Sequence, residues 1–278
     1  MHPVPPDLPL TGRTYLLTRA PHQMAALEAL LHRAGAQTLC FPTLEIQPLA
    51  LSPVAVAHIN DCLSKAPSNA SLPVWWLFTS ANGVDALWSQ LSATQQAQLQ
   101  QTSRRVRIAC VGTQTAARLM KYGVTTDHIP EVHHGEALAR HLQHLFRDQS
   151  PQNLTVWQAR AGRTRLQDVL RQAGHQVTTF AVYQTVKPVT CHAEGLATLL
   201  QNHQPDGVIF TSPSSVRHFC ECLPPCHGKV NTLKYHSIGP VTSAAIERYL
   251  GPVACEANPH TLAGLVERLC TDEAQYQV

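Results

Sequence analysis

The chain has 278 residues, 44% of them hydrophobic and 14% charged, with a formal net charge of +3. That length suits two domains of ordinary size. The charge is weak and Lys and Arg form no long run, so nucleic-acid binding has no support, while an anionic small molecule suits the mild basic excess. No stretch approaches the roughly 18 apolar residues of a membrane span.

Met1 to Leu10 is proline-rich, with Asp7 before any apolar run. It does not read as a signal peptide, and a short disordered tail is expected. Tyr15–Thr18 reads as the first strand, with Arg19 at its end. Met24, Leu27, Leu30 and Leu31 recur at helical spacing up to Ala34-Gly35, and Gly35 suits a C-terminal cap. Thr38 to Ile46 is β-rich, and Pro67 to Pro73 is a loop. Trp75–Thr79 is the next strand. Ser80 follows at the N-cap position of a helix carrying Val84, Leu87, Trp88 and Leu91. The Gln-rich stretch from Gln95 to Gln101 reads as an exposed helix end. Ile108–Val111 is a strand leading through Gly112 to Thr115 at a helix start, and Gly123 closes that helix. Gly135 to Leu145 is a short amphipathic segment, and Arg147 to Asn153 reads as a join.

From Thr155 the order begins again. Thr155–Gln158 is a strand followed by Arg160. Leu166, Val169 and Leu170 mark a helix ending at Ala173-Gly174, and Gln176 to Val186 is β-rich. Gly207–Thr211 leads to Ser212, and His236–Ile238 leads through Gly239 to Thr242. Gly251 closes that helix, and Thr261 to Leu269 is again amphipathic. The correspondence reaches individual residues. Leu77-Phe78-Thr79-Ser80-Ala81-Asn82-Gly83-Val84 returns as Ile209-Phe210-Thr211-Ser212-Pro213-Ser214-Ser215-Val216. The period, roughly 135 residues, is too long for a solenoid unit and fits one small domain. Several pairs in one order argue against chance similarity of generic βα units. Strands alternating with helices predict doubly wound, parallel α/β sheets in two similar lobes, with a ligand cleft between them.

No phosphate-cradling loop ending in Lys-Ser or Lys-Thr is present, nor a Gly-x-Gly-x-x-Gly after the first strand, nor a Gly-x-Ser-x-Gly. No cofactor is expected. The strand ends offer anion binding instead, because helix N-termini there present free N–H groups and partial positive charge. Ser80, Thr115, Ser212 and Thr242 add hydroxyl donors, and Arg19 and Arg160 add full charges. Each hydroxyl residue alone reads equally as a helix cap. Tyr183, in Phe180-Ala181-Val182-Tyr183-Gln184-Thr185-Val186, is either a proton or hydrogen-bond donor or an aromatic packing a linker strand. The nine Cys are scattered and suit reduced thiols in a cytoplasmic protein. His218, Cys220, Cys222, Cys226 and His227 have zinc-compatible ligand types, but their irregular spacing lacks paired Cys-x-x-Cys knuckles, so no metal is expected.

These residues resemble the uroporphyrinogen-III synthase family. The resemblance runs from about Gly12 to Leu269. It rests on Thr18-Arg19-Ala20-Pro21, Phe41-Pro42-Thr43-Leu44-Glu45-Ile46, Phe78-Thr79-Ser80 and Val111-Gly112-Thr113-Gln114-Thr115-Ala116, then Val182-Tyr183-Gln184-Thr185, Phe210-Thr211-Ser212-Pro213-Ser214 and Ile238-Gly239-Pro240-Val241-Thr242. It implies two flavodoxin-like domains, one made of 1–38 with 187–278 and the other of 47–175. Segments 39–46 and 176–186 would join them as a two-stranded ladder. It also implies a reaction in which hydroxymethylbilane, a linear tetrapyrrole polycarboxylate, loses its terminal hydroxyl and closes through a spiro intermediate. Ring D is inverted, giving uroporphyrinogen III. Tyr183 would assist departure of the hydroxyl, and the protein's task would be to hold the chain in one folded shape. A monomer is expected, because a cleft within one chain needs no partner, with transient contact to hydroxymethylbilane synthase. The alternative is a non-catalytic two-lobed binding or regulatory module for a polyanionic small molecule.

Overall fold

The computed structural model describes residues 8–64, 73–101, 106–223 and 233–276. Met1 to Asp7 of the expected tail, most of the loop from Pro67 to Pro73, and Cys226 and His227 lie outside the described residues. The strands are β1 (Thr14–Leu17), β2 (Gln37–Cys40), β3 (Glu45–Pro48), β4 (Val74–Phe78), β5 (Val106–Cys110), β6 (Asn153–Ala159), β7 (Gln176–Val186), β8 (Gly207–Phe210), β9 (Lys234–Ser237) and β10 (Val253–Glu256). The helices are α1 (Ala25–Arg33), α2 (Pro53–Ser64), α3 (Ala81–Trp88), α4 (Ala93–Gln100), α5 (Thr113–Lys121), α6 (Gly135–Leu145), α7 (Arg165–Gln172), α8 (Ala193–His203), α9 (Pro213–Glu221), α10 (Pro240–Tyr249) and α11 (Leu262–Tyr276).

The chain divides into two compact units. Unit 1 joins Met1–Glu45 to Val186–Val278, and unit 2 is Ile46–Thr185. Each is built on one five-stranded sheet, in the order β10-β9-β8-β1-β2 in unit 1 and β3-β7-β6-β4-β5 in unit 2. All four strand pairs of unit 1 are parallel, as are β5 with β4, β4 with β6 and β6 with β7 in unit 2.

Parallel strands connected by helices are covered on both faces and therefore read as unbroken apolar runs. Every residue of β4, Val-Trp-Trp-Leu-Phe, is buried, and so is every residue of β8. Alternation along the strand sends neighbours to opposite faces. Trp76 and Phe78 pack with Ile108, Trp157 and Tyr183 on one face, while Trp75 and Leu77 pack with Val156 and Leu170 on the other. Trp157 is the centre of the first layer. Its ring lies 5.1 Å from Trp76, edge-on, and 5.1 Å from Phe180, stacked. In unit 1 the same alternation places Leu16, Val208 and Phe210 on one face and Tyr15, Leu17 and Ile209 on the other.

Of the two segments expected to run side by side as a ladder, β3 and β7 are hydrogen-bonded neighbours. Residues 176–186 form β7, which pairs with β6 from Gln176 to Tyr183 and lies inside the sheet of unit 2. Residues 39–46 are not one strand. β2 ends at Cys40 and β3 starts at Glu45. Pro42 has no N–H for a ladder, and Phe41 is buried in the core of unit 1. Thr43 is held by its hydroxyl, which donates to Thr18 O at 3.0 Å.

Candidate active site

In unit 2 the chain leaves β6 through α7 to β7 on one side, and leaves β4 through α3 and α4 to β5 on the other. The boundary between β6 and β4 is therefore a topological switch point. Ligands of doubly wound sheets bind outside the carboxyl ends of the strands at such a point. A cavity of about 600 Å³ lies there, reached by Thr79 and Ser80 after β4, Gln158 and Ala159 at the end of β6, and Tyr183 of β7.

Three helices begin at this cavity. Ser80 caps α3, its Oγ accepting the Gly83 N–H at 3.1 Å. The same Oγ lies 2.9 Å from Tyr183 Oη. His134 caps α6, its Nδ1 accepting the Ala137 N–H at 3.1 Å, so the neutral ring keeps its proton on Nε2. Arg163 and Arg165 flank the start of α7 and also line the cavity. Helix starts carry unpaired N–H groups and partial positive charge, so three of them favour an anion here. Arg165 lies 3.5 Å from Glu136, with both side chains largely exposed. Arg163 has no ion-pair partner among the described residues, which leaves a full positive charge at the cavity. Beneath it the buried amides of Gln158 and Gln167 meet at 2.8 Å. A Cβ at residue 162 would sit 2.6 Å from Gln158 Cδ, so a side chain there would displace that amide.

Unit 1 carries the matching turns. Ser212 caps α9, its Oγ accepting the Ser215 N–H at 3.2 Å. Arg19 follows β1. Its Nε is buried without a hydrogen-bond partner, and its Nη2 lies 3.5 Å from Gln23 Oε1. Burial lowers the Arg19 pKa from its ordinary value, though an arginine stays charged in proteins. The Thr18 hydroxyl donates to Ile209 O at 2.9 Å and fixes the strand end that presents Arg19.

Of the residues expected at the site, Ser80 and Tyr183 are brought together. Arg160 is not at the cavity. Its side chain is exposed and donates to Gln184 Oε1 at 2.9 Å, while its N–H extends the β6–β7 pairing to Tyr183 O. Thr115 and Thr242 are only 5% and 4% exposed. Each is the third residue of its helix, behind the caps Gly112 and Gly239. Arg19, Ser212 and Thr242 belong to unit 1. Arg163, Arg165 and His134 were missed. The arginines were visible as the run Arg160, Arg163, Arg165, and His134 as half of a repeated His-x-Glu-x-Leu. Its other half begins with His192, which caps α8 in the same way.

The cysteine-rich segment points several ways. His218 Nδ1 contacts Thr43 O at 2.8 Å, the Cys220 thiol faces Tyr249 O, and Cys222 faces Cys191. Among the described residues no group of three metal-ligating side chains forms, and no helix is long and apolar enough to cross a membrane.

A parallel α/β fold with a cationic, donor-lined cavity at its switch point suits a class of protein that receives anionic small molecules. The comparisons with known proteins narrow that class. The family model for uroporphyrinogen-III synthase HemD matches residues 25–267. The chain belongs to the uroporphyrinogen-III synthase family. It is 30% identical over 265 residues to the uroporphyrinogen-III synthase of Synechococcus elongatus, covering 94% of this chain and 95% of that one. It is 25% identical over 241 residues to that of Chlorobaculum parvum, covering 85% and 89%. In fold it is similar to the uroporphyrinogen-III synthetase of Helicobacter pylori (TM-score 0.61, 16% identity, 96% and 100% covered). A mutant uroporphyrinogen III synthase from Thermus thermophilus is also similar (TM-score 0.57, 16% identity, 95% and 99% covered). Membership makes the chain an enzyme, a cyclising hydro-lyase of porphyrin and heme biosynthesis, rather than a non-catalytic binding module.

Proposed function

We propose that this enzyme closes hydroxymethylbilane to uroporphyrinogen III with inversion of ring D, using the unit 2 cavity for the reacting end of the chain. The observation that carries the proposal is Tyr183, 7% exposed, with its phenol 2.9 Å from Ser80 Oγ beside a cavity lined by Arg163 and helix N-termini. The arginine and the helix N–H groups suit carboxylates. The phenol suits protonation of the departing hydroxyl, which leaves as water and generates the electrophilic azafulvene. Closure then proceeds through the spiro intermediate. Arg19 and Ser212 are proposed as further carboxylate ligands, and the buried, unpartnered Arg19 Nε supports that role. Thr115 and Thr242 would contribute by shaping the first turns of α5 and α10, and Arg160 by holding the end of β7.

Several finer features belong to the same reading. The order β2-β1-β8-β9-β10 supports a flavodoxin-like domain, whose strand order is 2-1-3-4-5. The described cysteines are all free thiols, which suits a reducing, cytoplasmic setting. A monomer meeting hydroxymethylbilane synthase only in passing completes the proposal.

The test is a coupled assay. Porphobilinogen and its deaminase supply the bilane, the enzyme is added, and the oxidised isomers are separated. The wild-type protein should divert product from type I to type III. Tyr183→Phe should lower kcat by roughly a hundredfold, the scale of a lost general acid. Undiminished type I product with the wild type would overturn the activity. Full turnover by Tyr183→Phe would reduce the tyrosine to packing.

A further inference from the structure

We infer that Ser80 serves the reaction as a positioning residue for Tyr183, and that a glycine at position 83 makes this possible. The inference rests on the activity proposed above. Its basis is a difference between two otherwise matching turns.

In unit 1, Ser212 caps α9 and Ser215 stands three residues on. Ser215 supplies the N–H that Ser212 Oγ accepts at 3.2 Å, and also a hydroxyl 3.3 Å from that Oγ. The capping hydroxyl finds its donor and its acceptor within its own turn. In unit 2, Gly83 occupies the place of Ser215. Its N–H reaches Ser80 Oγ at 3.1 Å, but it has no hydroxyl to offer. The second partner of Ser80 comes from another strand, Tyr183 Oη at 2.9 Å.

A serine hydroxyl has one proton to donate. With its oxygen accepting from Gly83, the proton of Ser80 needs an acceptor, and among the described residues Tyr183 Oη is the one within reach. On this reading Ser80 donates to Tyr183 across the 2.9 Å contact, which leaves the phenolic proton free to point into the cavity. The opposite polarity would aim that proton away from any substrate. A Cβ at residue 83 would lie 3.4 Å from Trp157 O, 3.5 Å from Ser80 Oγ and 3.7 Å from Tyr183 Cε1. A methyl group therefore fits at ordinary contact distances. A hydroxyl on that Cβ would compete for the proton of Ser80, as Ser215 does for that of Ser212.

The experiment compares four variants in the isomer-resolved assay. Gly83→Ser should lower kcat roughly tenfold more than Gly83→Ala does, the rate equivalent of about one hydrogen bond. Ser80→Ala should lower kcat by a similar roughly tenfold factor with KM within about twofold, and Ser80→Thr should restore most of it. In a Tyr183→Phe background, Ser80→Ala should cost less than about twofold further, because the group it positions is gone. Equal kcat for Gly83→Ser and Gly83→Ala would overturn the inference. So would a Ser80→Ala effect confined to KM, which marks a substrate ligand. If Gly83→Ser fails to fold, the Ser80 series and the double variant decide the question alone. A wild type that forms no type III isomer overturns the proposed activity, a result read before any variant is ranked.

Discussion

Arg163 and Arg160 stand three residues apart, yet their guanidinium groups have different surroundings. Arg160 is engaged with Gln184, whereas Arg163 lines the cavity with no ion-pair partner among the described residues. A charge-assisted contact from Arg163 to a carboxylate is stronger than a neutral hydrogen bond, so Arg163→Gln should raise KM roughly tenfold or more. Its kcat should stay within about threefold if Tyr183 retains the chemistry. Arg165→Gln should raise KM less, because Glu136 already offsets that charge. Steady-state kinetics of the two variants checks the order. A larger effect at Arg165 would place the carboxylate on the α6 side of the cavity.

Packing around β6 sets how firmly the site is held. Trp157 is fully buried between Trp76 and Phe180, two residues before the end of the strand that leads into the Gly162 loop. Trp157→Ala should destabilise the protein by roughly 3–5 kcal/mol, the cost of a lost aromatic plus the cavity it leaves. Urea unfolding followed by far-UV circular dichroism measures this. The strands around Trp157 were legible because burial on both faces forces a continuous apolar run, as in β4 and β8. Ser80 and Ser212 were legible as caps because a small hydroxyl residue follows each run. β7 is legible as β-rich, and its place between β3 and β6 depends on strand order rather than on its own pattern. The place of Thr115 and Thr242, buried one turn inside helices capped by Gly112 and Gly239, is not visible from their residue type. Convergence of the α3, α6 and α7 starts was not legible at all. It depends on strand order, which periodicity along one chain does not encode.

His236 is buried, and His58, His128 and His175 are half-buried. Burial pushes His236 in unit 1 down to about 4, and neither ring nitrogen has a hydrogen-bond partner in the structure. Burial also lowers His58, His128 and His175 in unit 2. A depressed folded pKa means the unfolded chain takes up the proton first. The stability is complete above the unfolded value near 6.5 and is lost as pH falls from there through the folded value. For His236 the loss between about pH 6.5 and 4 amounts to roughly 3 kcal/mol. Urea midpoints should fall across that window, and His236→Leu should flatten part of the fall. A pH-independent midpoint would mean these rings are protonated without cost.

The division of the chain sets an order of events during synthesis. Unit 2 is one continuous stretch, Ile46–Thr185, and its whole sheet can be assembled once that stretch has left the ribosome. β1 is made before it, but pairs on one side with β8, whose first residue is Gly207. Until then the nascent β1–β2 pair has an open edge, the kind of template that invites pairing with other chains. β1 thus meets β8 only after the span of unit 2 has been made, and that span separates the two partners on the growing chain.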